Sequence, residues 1–384
     1  MKALLLEDSR KLVVRDVPEP TCGKREAIIK VGAVGVCGTD FHIYSGEANY
    51  NFDGNGRVIP FRERPQILGH EFCGTVVKTG SEAGLVKVGD RVAVDQGLNC
   101  FSQEIDPVCE YCATGFAHQC QHYKERGITG LPGAMQEFVS MPVINVVKIS
   151  DSMSFEETAL SEPLGCILHA LDMVDQAHTR YTLSESDRKG TRLVENILIL
   201  GAGPAGILFL QSLRKVKDFK GRIFVADFVE EKLALAERFD GTPINLQGKE
   251  LAAELRRLTR GEGIHLVIEA SGHGSAFASM STVLRKQGTV LLYGHGHQGT
   301  DLSVINHLMF IEPMIVVSCG ASGSLDTHTH QPELCRRTVE LIGSGLIDVK
   351  SLITHRYGAL EEVDQAFSRD HKRRDYIKGV LVYR

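Results

Sequence analysis

Short apolar runs cut by glycines fill the first part of the chain. AIIKVGAVGV, GTVVKTG, DRVAVD and EFVSMPVINVVKI follow one another between Met1 and about Ser150, a spacing that predicts a compact, largely antiparallel β domain. Two long polar stretches interrupt it, Glu47 to Pro65 and Gln96 to Tyr123, and loops of that length inside a domain are functional or flexible segments. From about Ser154 the period changes. FEETALSEPLGCILHALDMV reads as a helical connector and AHTRYTLSESDRKGTRLVEN as a polar surface loop. NILILGAG, RIFVADF, HLVIEAS, GTVLLYG and MIVVSC then alternate with helical segments such as EEKLALAERF and LAAELRRLTR. That alternation predicts an α/β fold with a doubly wound parallel sheet. The tail adds two helices, in PELCRRTVELIGSGL and LEEVDQAFSR, and a closing strand in IKGVLVYR.

Composition narrows the class. With 384 residues, 43% hydrophobic and 24% charged, the chain matches ordinary globular proteins, so disorder, collagen and coiled coil are excluded. Forty-three basic against 48 acidic side chains leave a net charge of -5, with no electrostatic pull toward nucleic acid or an anionic membrane. The apolar run at the N-terminus meets Glu7 and Asp8 too soon for a signal peptide. A cytoplasmic protein is expected, whose ten cysteines serve as metal ligands, core residues or thiols and not as a disulfide framework. The uncharged run from Asn196 to Arg214 has the length of a membrane span, but Gly201-Ala-Gly-Pro-Ala-Gly206 breaks it into strand, turn and helix start.

That turn is the first concentrated chemistry. Gly201-x-Gly203-x-x-Gly206 follows an apolar strand and opens an apolar helix at Pro204 and Ala205, the setting of a dinucleotide fingerprint. The first glycine makes the turn, the second lets backbone approach a pyrophosphate, and the third lets helix pack on strand. Asp227 ends the next strand, 21 positions after Gly206, where a carboxylate binds ribose hydroxyls and repels a 2′-phosphate. NAD is therefore expected over NADP. Lys232 either touches the ribose edge or is a solvated helix lysine. Ser271, in VIEASG, and Gly294 with His295 lie where such a sheet presents its ligand edge, or are ordinary loop residues.

Cys37-Gly-Thr-Asp-Phe-His42 and Gly69-His70-Glu71 are the second. Cysteine, histidine and carboxylate suit tetrahedral zinc, and a catalytic site keeps one position open. With SEPLGCILHAL, LGAGPAGIL, VIEASG and IKGVLVY, these motifs make the chain similar to the zinc-dependent medium-chain alcohol dehydrogenases, most of all to their sorbitol and threonine dehydrogenase branch. The resemblance implies a catalytic zinc on Cys37, His70 and one or both of Glu71 and Glu162. It also implies a proton relay from Thr39 through the cofactor ribose to His42. Cys109-x-x-Cys112-x7-Cys120 matches the last three ligands of the family's structural zinc lobe. Where its first cysteine belongs stands Asp106, so either Cys100, which we prefer, or Asp106 completes the set. A redox dithiol at Cys109 and Cys112 is the rival.

The resemblance further implies a GroES-like catalytic domain over 1–169 and 321–384, a Rossmann NAD-binding domain over 170–320, and an active cleft between the two. Two zinc ions and NAD are the implied cofactors. The partner would be a small alcohol: a polyol, sugar or amino alcohol, with L-threonine as the alternative and Arg57, Arg62 and Arg64 available to an anionic substrate group. A homotetramer or homodimer joined through MIVVSC is implied as well. A zinc hydrolase would have no use for the glycine turn with Asp227, and a non-catalytic nucleotide-binding relative would not need Cys37, His70 and Glu71. His297, His328 and His330 are left unassigned, RDHKRRD reads as a solvated face, and the remaining cysteines read as structural.

Overall fold

Two buried apolar clusters build two units, one from Met1–Cys166 with Gly320–Arg384 and one from Ile167–Cys319. The computed structural model describes residues 1–383 except 298, 299, 302 and 322.

The first unit is organised around the strand Glu26–Val36. Its length lets it serve three antiparallel neighbours: Glu71–Thr79 along most of one edge, Phe138–Pro142 beside its first half and Lys378–Val382 beside its last residues. Arg91–Val94 and Val146–Lys148 extend the sheet on one side. Ile353–Tyr357 extends it on the other, as its parallel member. Leu4, Leu6, Ile29, Phe72, Met135 and Met141 are buried in one core, and the Glu26–Val36 strand is buried along nearly its whole length.

In the second unit the strands lie in the order Thr242–Asn245, Arg222–Asp227, Asn196–Leu200, Ile264–Glu269, Leu284–Leu292 and Met314–Val317, all parallel. The Asn196–Leu200 and Ile264–Glu269 strands are buried at every residue, so they read as unbroken apolar runs and not as alternation. Sequence order reverses between these two strands. The expected doubly wound sheet is present, and a reversal of this kind is where such sheets bind their ligands. The strand Thr242–Asn245 (TPIN) carries no apolar run and went unread. The segment expected to be a bare loop after the connector holds two short paired strands, Tyr181–Thr182 and Arg192–Leu193.

Candidate metal centres and cofactor site

The first centre is assembled by an aspartate. Cys37 caps the helix Gly38–Ser45, and its backbone N–H donates to Asp40 Oδ2 at 2.9 Å, three residues on, as in a capping box. The other oxygen, Oδ1, accepts from Gly69 N–H at 3.3 Å and lies 3.4 Å from His70 Nδ1. Asp40 is fully buried. It thus ties the two ligand-bearing segments together and faces one nitrogen of the imidazole, leaving the other to a metal, the usual carboxylate–histidine arrangement behind a metal ligand.

Ligand atoms of Cys37, His70 and Glu71 lie within 4.8 Å of one another. His70 Nδ1 has no hydrogen-bonded partner although it is buried. Burial works against the imidazolium, and Asp40 and Cys37 outweigh it, holding His70 above its ordinary range. One sulfur, one imidazole and one carboxylate converging in a buried place fit a zinc ion.

Glu71 sits opposite Gly35 in the sheet register. A Cβ on residue 35 would come within 2.0 Å of Glu71 Oε2, so only glycine leaves the carboxylate room. Lys378, on the last strand, places Nζ 2.6 Å from both oxygens of Glu71 and donates to Oε1. Burial lowers this ammonium most, and Glu71, Cys37 and Asp40 together outweigh it, leaving Lys378 above its ordinary value.

Glu162 stands apart from the three-residue group. It opens the helix Ser161–Gln176 and accepts from Gln96 Nε2 at 2.9 Å and Cys166 Sγ at 3.4 Å. Burial pushes its carboxyl up to about 7, with His70 pulling against it and Glu71 and Glu125 adding to the rise. Glu125, itself raised by burial, reaches Gln96 from the other side. Thr39 Oγ1 lies 3.8 Å from Cys37 Sγ, and His42, further along the same helix, holds Glu47 Oε2 through Nδ1 at 2.8 Å.

The second centre is closed. Cys100, Cys109, Cys112 and Cys120 are all buried and mutually within 4.8 Å, and all ten cysteines are free thiols. The Cys109 N–H donates to Cys100 Sγ and the His122 N–H to Cys120 Sγ. Burial raises the Cys109 thiol, but backbone N–H groups and neighbouring thiols outweigh it and hold it at about 6. Asp106 is exposed and outside the group. Four cysteine sulfurs around one point fit a structural zinc ion, and with Cys100 and Cys120 in the group the pair Cys109–Cys112 has no isolated dithiol character.

In the second unit a cavity of 680 Å³ opens over the glycine turn, lined among others by Gly201, Gly203, Asp227, Phe228, Lys232 and Ser271. Gly201 has φ +102°, and a Cβ on Gly206 would lie 1.9 Å from Gly201 O, so turn and helix close only with glycine at both. Above Gly203 a Cβ meets nothing of the protein, leaving the mouth of the helix Pro204–Lys215 open to an anion. Asp227 accepts from Ala202 N–H at 2.8 Å and Val229 N–H at 2.9 Å, which pins the strand end to the turn. Buried Glu269 accepts from Ser271 N–H and Gly272 N–H and pairs with His297 Nε2 at 2.7 Å. Gly294 and His295 pack against Gly272 and do not line the cavity.

Asp40, Lys378, Gln96 and Glu125 went unread in the sequence. Asp40 carries a signal, its N3 position behind Cys37. Lys378 carries none, being 307 residues from Glu71.

Family models match two parts of the chain, the alcohol dehydrogenase GroES-like domain over residues 23–151 and the zinc-binding dehydrogenase domain over 204–335. A sorbitol dehydrogenase of Bacillus subtilis is 28% identical over 100% of this chain and 97% of its own. An L-threonine 3-dehydrogenase of Bacillus velezensis is 30% identical over 96% and 94%. Among solved structures, an Escherichia coli oxidoreductase/dehydrogenase of unknown specificity superposes with a TM-score of 0.78 at 26% identity, covering 100% of this chain and 99% of that one.

Three substitutions test these centres. Lys378→Met leaves Glu71 buried without its cation, and the chelator-treated protein should lose about 3–5 kcal/mol of stability, read as the shift in urea midpoint; an unshifted midpoint contradicts the pairing. In elemental analysis Cys100→Ser should lose one of two zinc ions, while Asp106→Asn keeps both.

Proposed function

The chain belongs to the zinc-dependent medium-chain alcohol dehydrogenase family, and on that premise we propose that it oxidises the secondary alcohol of a polyol, sugar or amino alcohol with NAD. The observation that carries this reading is the converging group Cys37, His70 and Glu71 in a chain that also holds the glycine turn with Asp227 at its edge. A hydrolase would need only the first of these, and a nucleotide-binding protein only the second.

Zinc held by Cys37, His70 and Glu71 supplies the Lewis acidity that lets an alcohol hydroxyl release its proton near neutral pH. The chain's own residues do the rest. Asp40 orients His70, and Lys378 holds the carboxylate of Glu71 in place. Thr39 Oγ1, beside Cys37, would accept the hydroxyl proton while passing on its own, and His42, half-buried on the same helix and steadied by Glu47, would release a proton to water, a task for which imidazole is suited. Glu162, restrained by Gln96, is the reserve carboxylate of the site. In the second unit the open helix mouth at Gly203 takes the pyrophosphate of NAD and Asp227 the ribose hydroxyls.

The Bacillus relatives named for sorbitol and for L-threonine bracket the substrate: a hydroxyl on a carbon flanked by further polar groups. The main reading is a polyol or sugar, and L-threonine is the alternative. Among the described residues no helix is long and apolar enough to cross a membrane, and ten free thiols suit a reducing cytoplasm.

A second copy of the chain is the proposed macromolecular partner. Met314–Val317 is the edge strand of the six-stranded sheet, with Ile315 at 44% and Val317 at 64% exposure, and Met309 and Phe310 beside it at 71% and 80%. An exposed apolar edge invites strand pairing, and twofold pairing of this edge gives a homodimer, or a tetramer built from it.

Zinc-loaded protein should reduce NAD with at least one member of a panel of sorbitol, other polyols, sugars and L-threonine, lose that activity to a chelator and regain it with zinc. Protein that holds zinc but reduces NAD with none of them refutes the reading. In the same assay Asp227→Gly with Phe228→Arg should move the NAD to NADP preference by at least about tenfold. Val317→Lys should shift the sizing profile toward monomer, and an unchanged profile removes the edge strand from the interface.

A further inference from the structure

The segment between the connector helix and the first strand of the parallel sheet has no part in either centre. It folds into the short pair Tyr181–Thr182 and Arg192–Leu193, and the loop between them closes over the start of the last strands. A hollow of 480 Å³ results, lined by His178, Arg180, Arg188, Lys189, Gln287 and Glu312 among others. Pro313 and Met314 also line it and begin the edge strand Met314–Val317, so the hollow lies at the amino ends of the sheet. The cofactor cavity lies at the carboxyl ends of the same sheet, around Gly201, Asp227 and Ser271.

The lining is rich in donors. Arg188, partly buried, is held by the carbonyl of Thr179 and by His178 Nδ1 at 2.8 Å. A guanidinium only donates, so His178 Nδ1 accepts, its proton sits on Nε2, and that N–H is a further donor. Arg180 donates to Gln287 Oε1 at 3.3 Å, which leaves the Gln287 amide NH₂ as a donor too. Three cations, Arg180, Arg188 and Lys189, face one carboxylate, Glu312. A hollow of small-ligand size with planar guanidinium forks and excess positive charge selects oxyanions, above all phosphate.

We propose that this hollow is a binding site for a small phosphate-bearing anion, separate from the dinucleotide site at the other end of the sheet. The arginines and Lys189 supply charge, His178 Nε2 and Gln287 supply neutral hydrogen bonds, and Glu312 sets an upper limit on affinity by opposing the anion.

Titration calorimetry with inorganic phosphate tests this on the full chain, with NAD saturating so that the glycine turn is filled and with chloride holding ionic strength constant. The wild type should bind saturably. Arg180→Gln with Lys189→Gln should weaken binding by about tenfold or more, and Glu312→Gln should tighten it. The opposite directions separate a site from a misfolded variant. No saturable heat in the wild type, or equal affinity in all three proteins, overturns the proposal.

Discussion

One buried carboxylate holds the first unit's chemistry together. Asp40 is 0% exposed, and an ionised group so placed is tolerable only when its oxygens are taken up. They are taken up by the N–H of Cys37 and the N–H of Gly69, with the His70 ring facing one of them. The cost of burying Asp40 is therefore offset only when the helix carrying Cys37 and the turn carrying His70 come together. A metal then finds ligands already spaced for it, and little ordering entropy is left to be lost on binding. Gly35 and Lys378 extend the constraint to Glu71: the first leaves space for the carboxylate and the second balances its charge.

Much of this was legible in the sequence because its signals are local. Gly201, Gly203 and Gly206 state the turn within six residues, and Asp227 follows at the end of the next apolar run. Cys109, Cys112 and Cys120 likewise fall within twelve residues, and the family resemblance reads them as a metal-binding set. Cys100 and Asp106 could not be separated that way, because loop length decides which reaches the others. The fold buries Cys100 and leaves Asp106 in solvent. Glu71 and Glu162 were inseparable for the same reason, and their difference is one of neighbours: Glu71 lies among the ligand atoms, while Glu162 answers to Gln96.

What escaped the sequence was long-range or short. Lys378 and Glu71 meet only because the closing strand pairs beside Glu26–Val36. Gln96 and Glu125 come together through a two-residue strand pair, Gly97–Leu98 with Lys124–Glu125, too brief to leave a period. Thr242–Asn245 is an outer strand of its sheet and is buried at only one residue, so no apolar run marks it. These elements are specified by tertiary context, which overrides weak strand propensity.

The first unit is discontinuous along the chain, and its final strand supplies both a sheet edge and the counter-charge of Glu71. During synthesis from the N-terminus, the last residues of the Glu26–Val36 strand, Ala33–Val36, must wait without their Lys378–Val382 partner while the entire intervening nucleotide-binding unit is translated. That middle unit holds all its own strands and can collapse while still tethered to the ribosome. Nascent chains stalled between Cys319 and Lys378 would thus carry a finished cofactor half beside a metal half whose candidate ligands are present but whose sheet is open, the stage at which the polypeptide is most exposed to misassembly and to capture by chaperones.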